Sequence, residues 1–184
     1  MKGIYVFLAE GFECVEALAP IDVMNRAGVE LKRVAVGGNL SVTSSHGLVA
    51  LKCDMLIEDA NFADGDAIIL PGGNPGYINL RNSELVCSVV RDYYEGGKLV
   101  AAICGAPTVL AAASIAKSHK ITCHASVVEQ MREYWVLSDS VVRDGILITG
   151  AGAASSWDFA VAILEELVEP STVLRVLRET MTIM

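Results

Sequence analysis

The sequence predicts a single-domain α/β fold, a flavodoxin-like sandwich with a parallel sheet core and helices on both faces of the sheet. The chain has 184 residues, which suits one domain, and no glycine- and serine-rich linker divides it. Short apolar segments of strand type alternate with segments of helix type, as they do in βαβ units. Hydrophobic residues make up 53% of the chain, enough to cover both faces of a parallel sheet. We therefore expect residues 1–184 to form one domain.

Two strands and one helix are predicted in the first part of the chain. Residues 3–8 (GIYVFL) form an apolar run of strand length, which indicates a buried strand. Residues 14–27 predict a helix that ends at Gly28. Pro20 should bend or break this helix, because proline removes a backbone hydrogen bond and its ring clashes with the preceding turn. Residues 30–36 form the second predicted strand.

The middle of the chain continues the alternation after a weak hairpin signal. Residues 41–57 alternate loosely around SSHGL, which indicates a small hairpin. Residues 66–70 (DAIIL) predict a strand that leads into the loop PGGNPG. Residues 83–95 predict a helix with Ser83 as its N-cap, because a serine hydroxyl there can accept a backbone N–H. Residues 98–103 predict the next strand.

The last part of the chain predicts short strands and three helices. A helix is expected from Gly105 to Ala113, because Pro107 has the fixed φ that a first helical turn accepts. Short strands are expected at residues 120–123 and 146–149. The final predicted helices are residues 154–167 and 170–180.

Composition and charge exclude several classes of protein. The net charge of −8 argues against a nucleic-acid partner. No apolar run reaches the roughly 20 residues of a membrane helix, and the N-terminal segment lacks the pattern of a signal peptide, so we expect a cytoplasmic protein without a membrane partner. The five cysteines form no CxxC pair and the three histidines fall in no metal-binding pattern. We therefore expect no disulfide framework, no metal and no cofactor.

Cys104 lies at the corner between a predicted strand and a predicted helix, in the segment VAAICGAPTVLAAA. Parallel strands bring the loops at their carboxyl ends together, so this corner should meet residues 9–16 (AEGFECVE) and 71–76 (PGGNPG). Free N–H groups and the helix dipole favour a thiolate there, and Gly105 leaves room for a sharp turn of the nucleophile-elbow kind. We predict a pKa below about 6.5 for Cys104, which would then react before the other thiols. The alternative is a small buried hydrophobic residue in a tight corner.

Four segments together resemble the ThiJ/PfpI superfamily, in the branch of the YajL-like proteins and the parkinsonism-associated deglycase and chaperone. They are EGFECVEALAPIDVMNRAG, DAIILPGGNPGYINL, LVAAICGAPTVLA and ITCH, and the resemblance covers nearly the whole chain. It implies that Cys104 is a nucleophile, that the carboxyl group of Glu16 contacts its thiolate, and that His124 moves a proton. A glutamate beside a thiolate should keep its proton, because two adjacent anions repel each other. Otherwise Glu16 would be a solvated helix residue and His124 a core residue at a strand end.

The glycines near this corner have two interpretations. Gly72 and Gly73 either present backbone N–H groups to an oxyanion or form an ordinary turn. The resemblance implies an anion pocket built by Gly73 and Gly105. The chain departs from some relatives by carrying His46 and Ala151 where those relatives have arginine. It also has Gly105 where the protease-like relatives have histidine, which disfavours protease activity, and no phosphate-binding motif supports a role in thiazole-phosphate metabolism.

Two classes of function follow from these residues. The first is a cysteine-dependent enzyme that acts on small reactive carbonyls, such as methylglyoxal, or on their adducts with protein side chains. The second is a redox-responsive chaperone or stress sensor in which Cys104 is oxidised.

The helix at residues 14–27 carries apolar residues around more of its surface than one core stripe needs. The resemblance also implies a homodimer formed through this region, so we expect a homodimer. These apolar residues are Leu18, Ile21, Val23 and Met24.

Overall fold

The computed structural model describes residues 3–183, and a seven-stranded sheet forms its centre. Residues 1, 2 and 184 of the predicted single domain lie outside the described residues. The strands are β1 (Gly3–Ala9), β2 (Leu31–Val36), β3 (Ser41–Thr43), β4 (Ala50–Lys52), β5 (Met55–Leu56), β6 (Gly65–Leu70), β7 (Leu99–Ile103), β8 (Lys120–Ile121), β9 (Trp135–Val136), β10 (Val141–Asp144) and β11 (Leu147–Gly150). The helices are α1 (Cys14–Arg26), α2 (Gly76–Arg81), α3 (Glu84–Glu95), α4 (Thr108–Ala112), α5 (Ser156–Leu167) and α6 (Pro170–Glu179).

The order of the strands confirms the predicted flavodoxin-like α/β fold. Across the main sheet the order is β10-β11-β7-β6-β1-β2-β5, and every neighbouring pair is parallel except β10 with β11. Five neighbouring parallel strands of this sheet lie in the order β2-β1-β6-β7-β11. Numbered one to five along the chain, they have the flavodoxin order 2-1-3-4-5. All the strands of that set therefore end at one edge, where their carboxyl-terminal loops meet.

The sheet is buried on both faces because its central strands are apolar at every position. Alternate side chains of a strand point to opposite faces. In β1, Phe7 packs into one core while Val6 and Leu8 pack into the other. The first core is shared with α2, α3 and α4, and the second with α1, α5 and α6. This arrangement explains why the strands appear in the sequence as continuous apolar runs.

Two local predictions about caps and turns are confirmed, and one about α1 is not. The hydroxyl of Ser83 accepts the N–H of Val86 at 3.3 Å, as expected of an N-cap. β3 and β4 pair antiparallel and form the hairpin predicted within residues 41–57, although β5 joins the edge of the main sheet. Of the two outcomes expected at Pro20, a bend or a break, the break does not occur, because α1 continues through this residue. Pro20 is buried, and packing of the α1 face against α5 compensates for the missing backbone hydrogen bond.

Two predicted elements differ from the structure for identifiable reasons. The helix expected from Gly105 is limited to α4, because residues 104–107 form a turn with hydrogen bonds of the 3₁₀ type. The strand expected at 120–123 ends early, since the N–H of Thr122 donates to the side-chain oxygen of Thr149 and not to a backbone carbonyl of a neighbouring strand. β8 consequently pairs with β9 outside the main sheet. The pattern analysis also missed α2 and β10.

Within residues 3–183, no helix combines the length and the apolar character needed to cross a lipid bilayer. The cytoplasmic location stays a prediction.

Candidate functional site

Cys104 occupies a sharp turn directly after β7. Its φ is +66°, in the left-handed region that residues other than glycine rarely adopt. Its backbone is held from two sides, because its N–H donates to the carbonyl of Gly150 at 2.9 Å and its carbonyl accepts the N–H of His124 at 2.8 Å. At Gly105 a Cβ would lie 2.6 Å from the ring of Tyr77, so the turn requires glycine there. The turn has the geometry of a nucleophile elbow.

Glu16 reaches this turn from the first turn of α1. Its residue is fully buried, its Oε2 accepts the N–H of Gly72 at 2.8 Å, and its carboxyl group is hydrogen-bonded to the side chain of Cys104. A Cβ on Gly72 would come within 2.7 Å of both Glu16 Oε2 and Cys104 Cβ, so only glycine fits between them. The other oxygen, Oε1, is buried and accepts no hydrogen bond from the part of the chain that is described. The structure thus brings the predicted glutamate and cysteine together.

Burial dominates the proton affinity of both members of this pair. It raises the pKa of Glu16 to about 7, which agrees with the expectation that the carboxyl group tends to keep its proton. Burial, the neighbouring charge of Glu16 and the hydrogen bond to it together raise the pKa of Cys104 to about 12, although the N–H groups of Gly105 and Gly73 lower it. The predicted thiol pKa below about 6.5 is therefore wrong. The helix that follows, α4, is only five residues long and begins at Thr108, so its dipole offers the sulfur little.

The backbone N–H groups of two predicted pocket glycines contact the sulfur. Gly73 and Gly105 both hydrogen-bond Cys104, whereas the N–H of Gly72 is used by Glu16. Gly73 has a φ of +90°, and a Cβ there would collide with the backbone N of Glu13. The loop is fixed at both ends, because Glu13 N–H donates to Gly72 O at 3.0 Å and Tyr77 N–H donates to Gly73 O at 2.9 Å. This arrangement leaves two donors for negative charge on the sulfur.

His124 lies beside Cys104 but points its ring elsewhere. Its side chain is exposed, and its Nδ1 lies 2.8 Å from the hydroxyl of Ser126 and 3.2 Å from the Ser126 N–H. Because Nδ1 accepts that N–H, the neutral ring carries its proton on Nε2. A Cβ on Gly152 would lie 3.6 Å from the ring, which places the ring next to the loop after β11. The structure brings the backbones of His124 and Cys104 together, while the ring of His124 is hydrogen-bonded to Ser126.

His46 and Ala151, the two positions where some relatives have arginine, lie in loops that flank the site. His46 is exposed, has a φ of +63° and follows Ser45, whose N–H donates to the carbonyl of Phe12. Ala151 directly follows β11, and its N–H donates to Ser140 O at 2.9 Å. Neither position supplies a guanidinium group to the site.

The other cysteines lack the contacts that distinguish Cys104. Burial raises the pKa of Cys53 to about 11 and also raises the pKa values of Cys87 and Cys123. Cys104 is instead distinguished by an acid partner and two backbone donors. Within residues 3–183, His, Cys, Asp and Glu side chains form no group of three that could hold a metal ion.

Sequence reasoning missed Glu13 and Ser45. Glu13 is the N-cap of α1, with Oε1 accepting the N–H of Cys14 at 3.1 Å, and its Oε2 accepts the hydroxyl of Ser45 at 3.0 Å. The cap itself was detectable, because a glutamate directly before the predicted helix at residue 14 can accept a free backbone N–H. The contact with Ser45 was not, because it joins segments 32 positions apart.

Comparison with known families settles the relationship that these motifs suggest. The sequence profile of the family described as the DJ-1/PfpI family matches residues 2–166. The chain belongs to the DJ-1/PfpI family. The resemblance inferred from the four segments is thereby confirmed, and the match covers the elbow, the glycine loop and the first helix of this DJ-1/PfpI protein.

Individual DJ-1/PfpI relatives match over most of their own length. The chain is 36% identical to protein dj-1beta of Drosophila melanogaster over 168 residues, 90% of this chain and 89% of the relative. It is 37% identical to the Parkinson disease protein 7 homolog of Danio rerio over 171 residues, 90% of this chain and 89% of the relative. It is 31% identical to a Caenorhabditis elegans protein named glutathione-independent glyoxalase DJR-1.2 over 163 residues, 88% of this chain and 86% of that protein.

The fold agrees with solved structures of the family. The crystal structure of Drosophila melanogaster DJ-1beta superposes with a TM-score of 0.93 at 34% identity, and the match covers 98% of this chain and 97% of that one. The family thus includes a protein named as a glyoxalase and shares this α/β fold.

Proposed function

We propose that this DJ-1/PfpI protein is a cofactor-free enzyme that uses Cys104 to convert small 2-oxoaldehydes, such as methylglyoxal, into 2-hydroxy acids, or to reverse their adducts on protein side chains. One observation carries the proposal. The sulfur of Cys104 contacts a buried carboxyl group and two backbone N–H groups at an exposed sheet edge. The name of the Caenorhabditis elegans relative supports the same class of reaction.

The residues can perform each step without an oxidant or a reductant. The sulfur of Cys104 attacks the aldehyde carbon, a C–S bond forms, and the thiol proton passes through Glu16 to the carbonyl oxygen. The hydrogen on that carbon leaves as a proton and a proton is delivered to the neighbouring ketone carbon, while the hydroxyl proton of the adduct passes to the ketone oxygen, which yields a 2-hydroxy thioester. We assign the transfer of this proton to the imidazole of His124, whose ring lies next to the loop after β11. Water then attacks the thioester, the C–S bond breaks, and the acid leaves as the thiol is restored.

The protonation of Glu16 and Cys104 determines how the proposed activity depends on pH. The pKa of Glu16 is about 7 and that of Cys104 about 12, so between these values the pair holds one proton and one negative charge. In that state Glu16 can accept the thiol proton during attack, whereas below about pH 7 both groups carry protons. We expect activity to rise with pH through an acidic limb near pH 7.

Lactate formation tests the proposal directly. The purified protein, in EDTA and without glutathione, is supplied with methylglyoxal, and lactate is measured in wild type, Cys104→Ser and Cys87→Ser. We expect lactate from wild type and Cys87→Ser and a loss of about 10³-fold or more in Cys104→Ser. Lactate production that is absent in wild type, or equal in Cys104→Ser, would overturn the proposal.

A redox-responsive chaperone or stress sensor is the second candidate. The observation in its favour is that the two N–H groups on the Cys104 sulfur could also bind the oxygens of a sulfinate. Mass spectrometry after limiting peroxide distinguishes the two, since a sensor requires Cys104 to be oxidised before Cys14, Cys53, Cys87 and Cys123. Selective oxidation without lactate formation would favour this candidate.

We also propose that the chain forms a homodimer through α1. Val23 and Met24 of α1 are buried in the chain's own core, whereas Leu18 and Ile21 remain half-buried beside Met55. A second copy would cover that surface. Sedimentation at micromolar concentration is expected to give twice the monomer mass, and a monomer mass would contradict the proposal. Neither a nucleic acid nor a membrane is proposed as a partner.

A further inference from the structure

Glu13 joins three segments that surround the Cys104 site. Its backbone N–H donates to Gly72 O at 3.0 Å and so fixes the glycine loop. Its side chain accepts the N–H of Cys14 at 3.1 Å and the hydroxyl of Ser45 at 3.0 Å, which ties α1 to the hairpin segment. Two hydrogen bonds therefore hold its carboxylate in one place.

This carboxylate is a negative charge that acts on the buried carboxyl group of Glu16. Glu13 is half-buried, whereas Glu16, three positions further along the chain, is fully buried. The groups that act on the carboxyl group of Glu16 are the Cys104 side chain, the N–H of Gly72 and the charge of Glu13, which contributes to raising the pKa of Glu16. His46 follows Ser45 but is exposed, and Ala151 brings no charge. A fixed anion at this place repels other anions that approach the sulfur.

We propose that Glu13 is a specificity-determining residue of the Cys104 site, whose carboxylate, held by Ser45 and the N–H of Cys14, favours uncharged electrophiles over anionic ones. This inference deepens the proposed function, on which it rests, because it names the substrate class. Uncharged oxoaldehydes are accepted, and carbonyl compounds that carry a carboxylate or phosphate are disfavoured. The same charge contributes to raising the pKa of Glu16, so the Glu16–Cys104 pair loses its first proton at a higher pH.

Two alkylating agents with the same leaving group test the charge without any turnover. Iodoacetamide is neutral and iodoacetate is anionic, and both transfer their carbon to a cysteine sulfur with loss of iodide. Rates of Cys104 alkylation are measured by peptide mass spectrometry at pH 8 in the full-length protein. The ratio of the iodoacetamide rate to the iodoacetate rate reports the local charge and cancels changes in thiol reactivity.

The chain offers a matched control for Glu13. Glu10 lies in the same loop, and its carboxylate also accepts a hydrogen bond from the hairpin, namely the N–H of Thr43 at 3.1 Å. Unlike Glu13, it does not act on Glu16. Glu13→Gln keeps the size of the side chain without its charge, Glu13→Ser keeps a good N-cap without the charge, and Glu13→Asp keeps the charge.

We expect the rate ratio to fall about threefold in Glu13→Gln and Glu13→Ser and to stay at the wild-type value in Glu13→Asp and Glu10→Gln. The pH midpoint of alkylation by iodoacetamide should also move to lower pH in the two neutral variants, because a repulsion on the ionised pair is removed. Melting temperatures establish that each variant is folded, and Glu13→Ser keeps the test valid if Glu13→Gln does not fold.

An unchanged ratio in Glu13→Ser, or an equal fall in Glu10→Gln or Glu13→Asp, would overturn the inference. Its failure is separable from failure of the proposed function. Alkylation requires only a reactive thiol, so a protein that forms no lactate can still show the charge selectivity, and an active enzyme can lack it.

Discussion

Two hydrogen-bonded clusters of titratable side chains lie at opposite ends of the sheet. At the carboxyl ends of the strands, Glu16 and Cys104 share a buried contact. At the amino ends, the hydroxyl of Tyr94 lies 3.0 Å from Nε2 of His119, whose Nδ1 lies 3.2 Å from Asp144. Both clusters join elements that are distant in sequence, and yet only the first has the features of a reactive site.

The extent of burial distinguishes the two clusters. The side chains of His119 and Asp144 are 29% and 36% exposed, so water screens their charges, and Nδ1 of His119 is not aligned for a hydrogen bond to Asp144. The Asp144 carboxylate also accepts the N–H of Lys120 at 2.8 Å, which fastens β8 to β10. In contrast, Glu16 is fully buried, so water does not screen its interaction with Cys104. In the proposed function the first cluster transfers protons, whereas the second cluster holds elements of the fold together.

Replacing the acid of the first cluster should give the largest effect. Glu16→Gln keeps an oxygen that can accept the Gly72 N–H but cannot take the thiol proton. We expect lactate formation from methylglyoxal to fall about 100-fold and the acidic limb near pH 7 to disappear. Rates measured from pH 5 to pH 9 test both. A variant that retains the limb at near wild-type rate would remove Glu16 from the mechanism.

The same substitution should stabilise the protein, and more so at high pH. The pKa of Glu16 in the folded protein is about 7 against an ordinary value of 4.5, so protonated Glu16 contributes stability that is present below about pH 4.5 and is lost as the pH rises through about 7. Glu16→Gln avoids this loss. Its advantage in the free energy of unfolding should grow by about 2 to 3 kcal/mol between pH 5 and pH 8. Urea denaturation at the two pH values measures it, and a pH-independent difference would contradict the raised pKa.

The second cluster should show the smaller, purely structural effect. Tyr94→Phe removes the hydroxyl that contacts His119 and leaves the ring, which packs edge-on against the imidazole at 6.0 Å between centroids. We expect a loss of about 1 kcal/mol in the free energy of unfolding and no change in lactate formation. Urea denaturation and the lactate assay measure the two quantities on one preparation. A fall in activity at unchanged stability would mean that the two ends of the sheet are coupled.

The sequence alone determined the central features of the fold and the position of the sharp turn at Cys104. Continuous apolar runs such as residues 3–8 can only be buried on both faces, which predicts a parallel sheet with helices on either side. The order of the motifs identified the family, and the strand, cysteine, glycine and proline at residues 103–107 predicted the elbow. These features are local, because backbone propensities and steric limits act over a few residues.

The tertiary structure decided what depends on contacts between distant segments. The pKa of Cys104 could not be derived from its own neighbours, because Glu16 and the N–H of Gly73 come from other segments and the burial of the sulfur is set by all of them. The contact between Glu13 and Ser45 is likewise invisible to pattern analysis. The strand predicted at residues 120–123 stops at Ile121, and the next N–H, that of Thr122, donates to the side chain of Thr149 in β11. A pKa shift depends on burial and on every charge near the group in the folded protein, so only the tertiary structure could determine its direction and size.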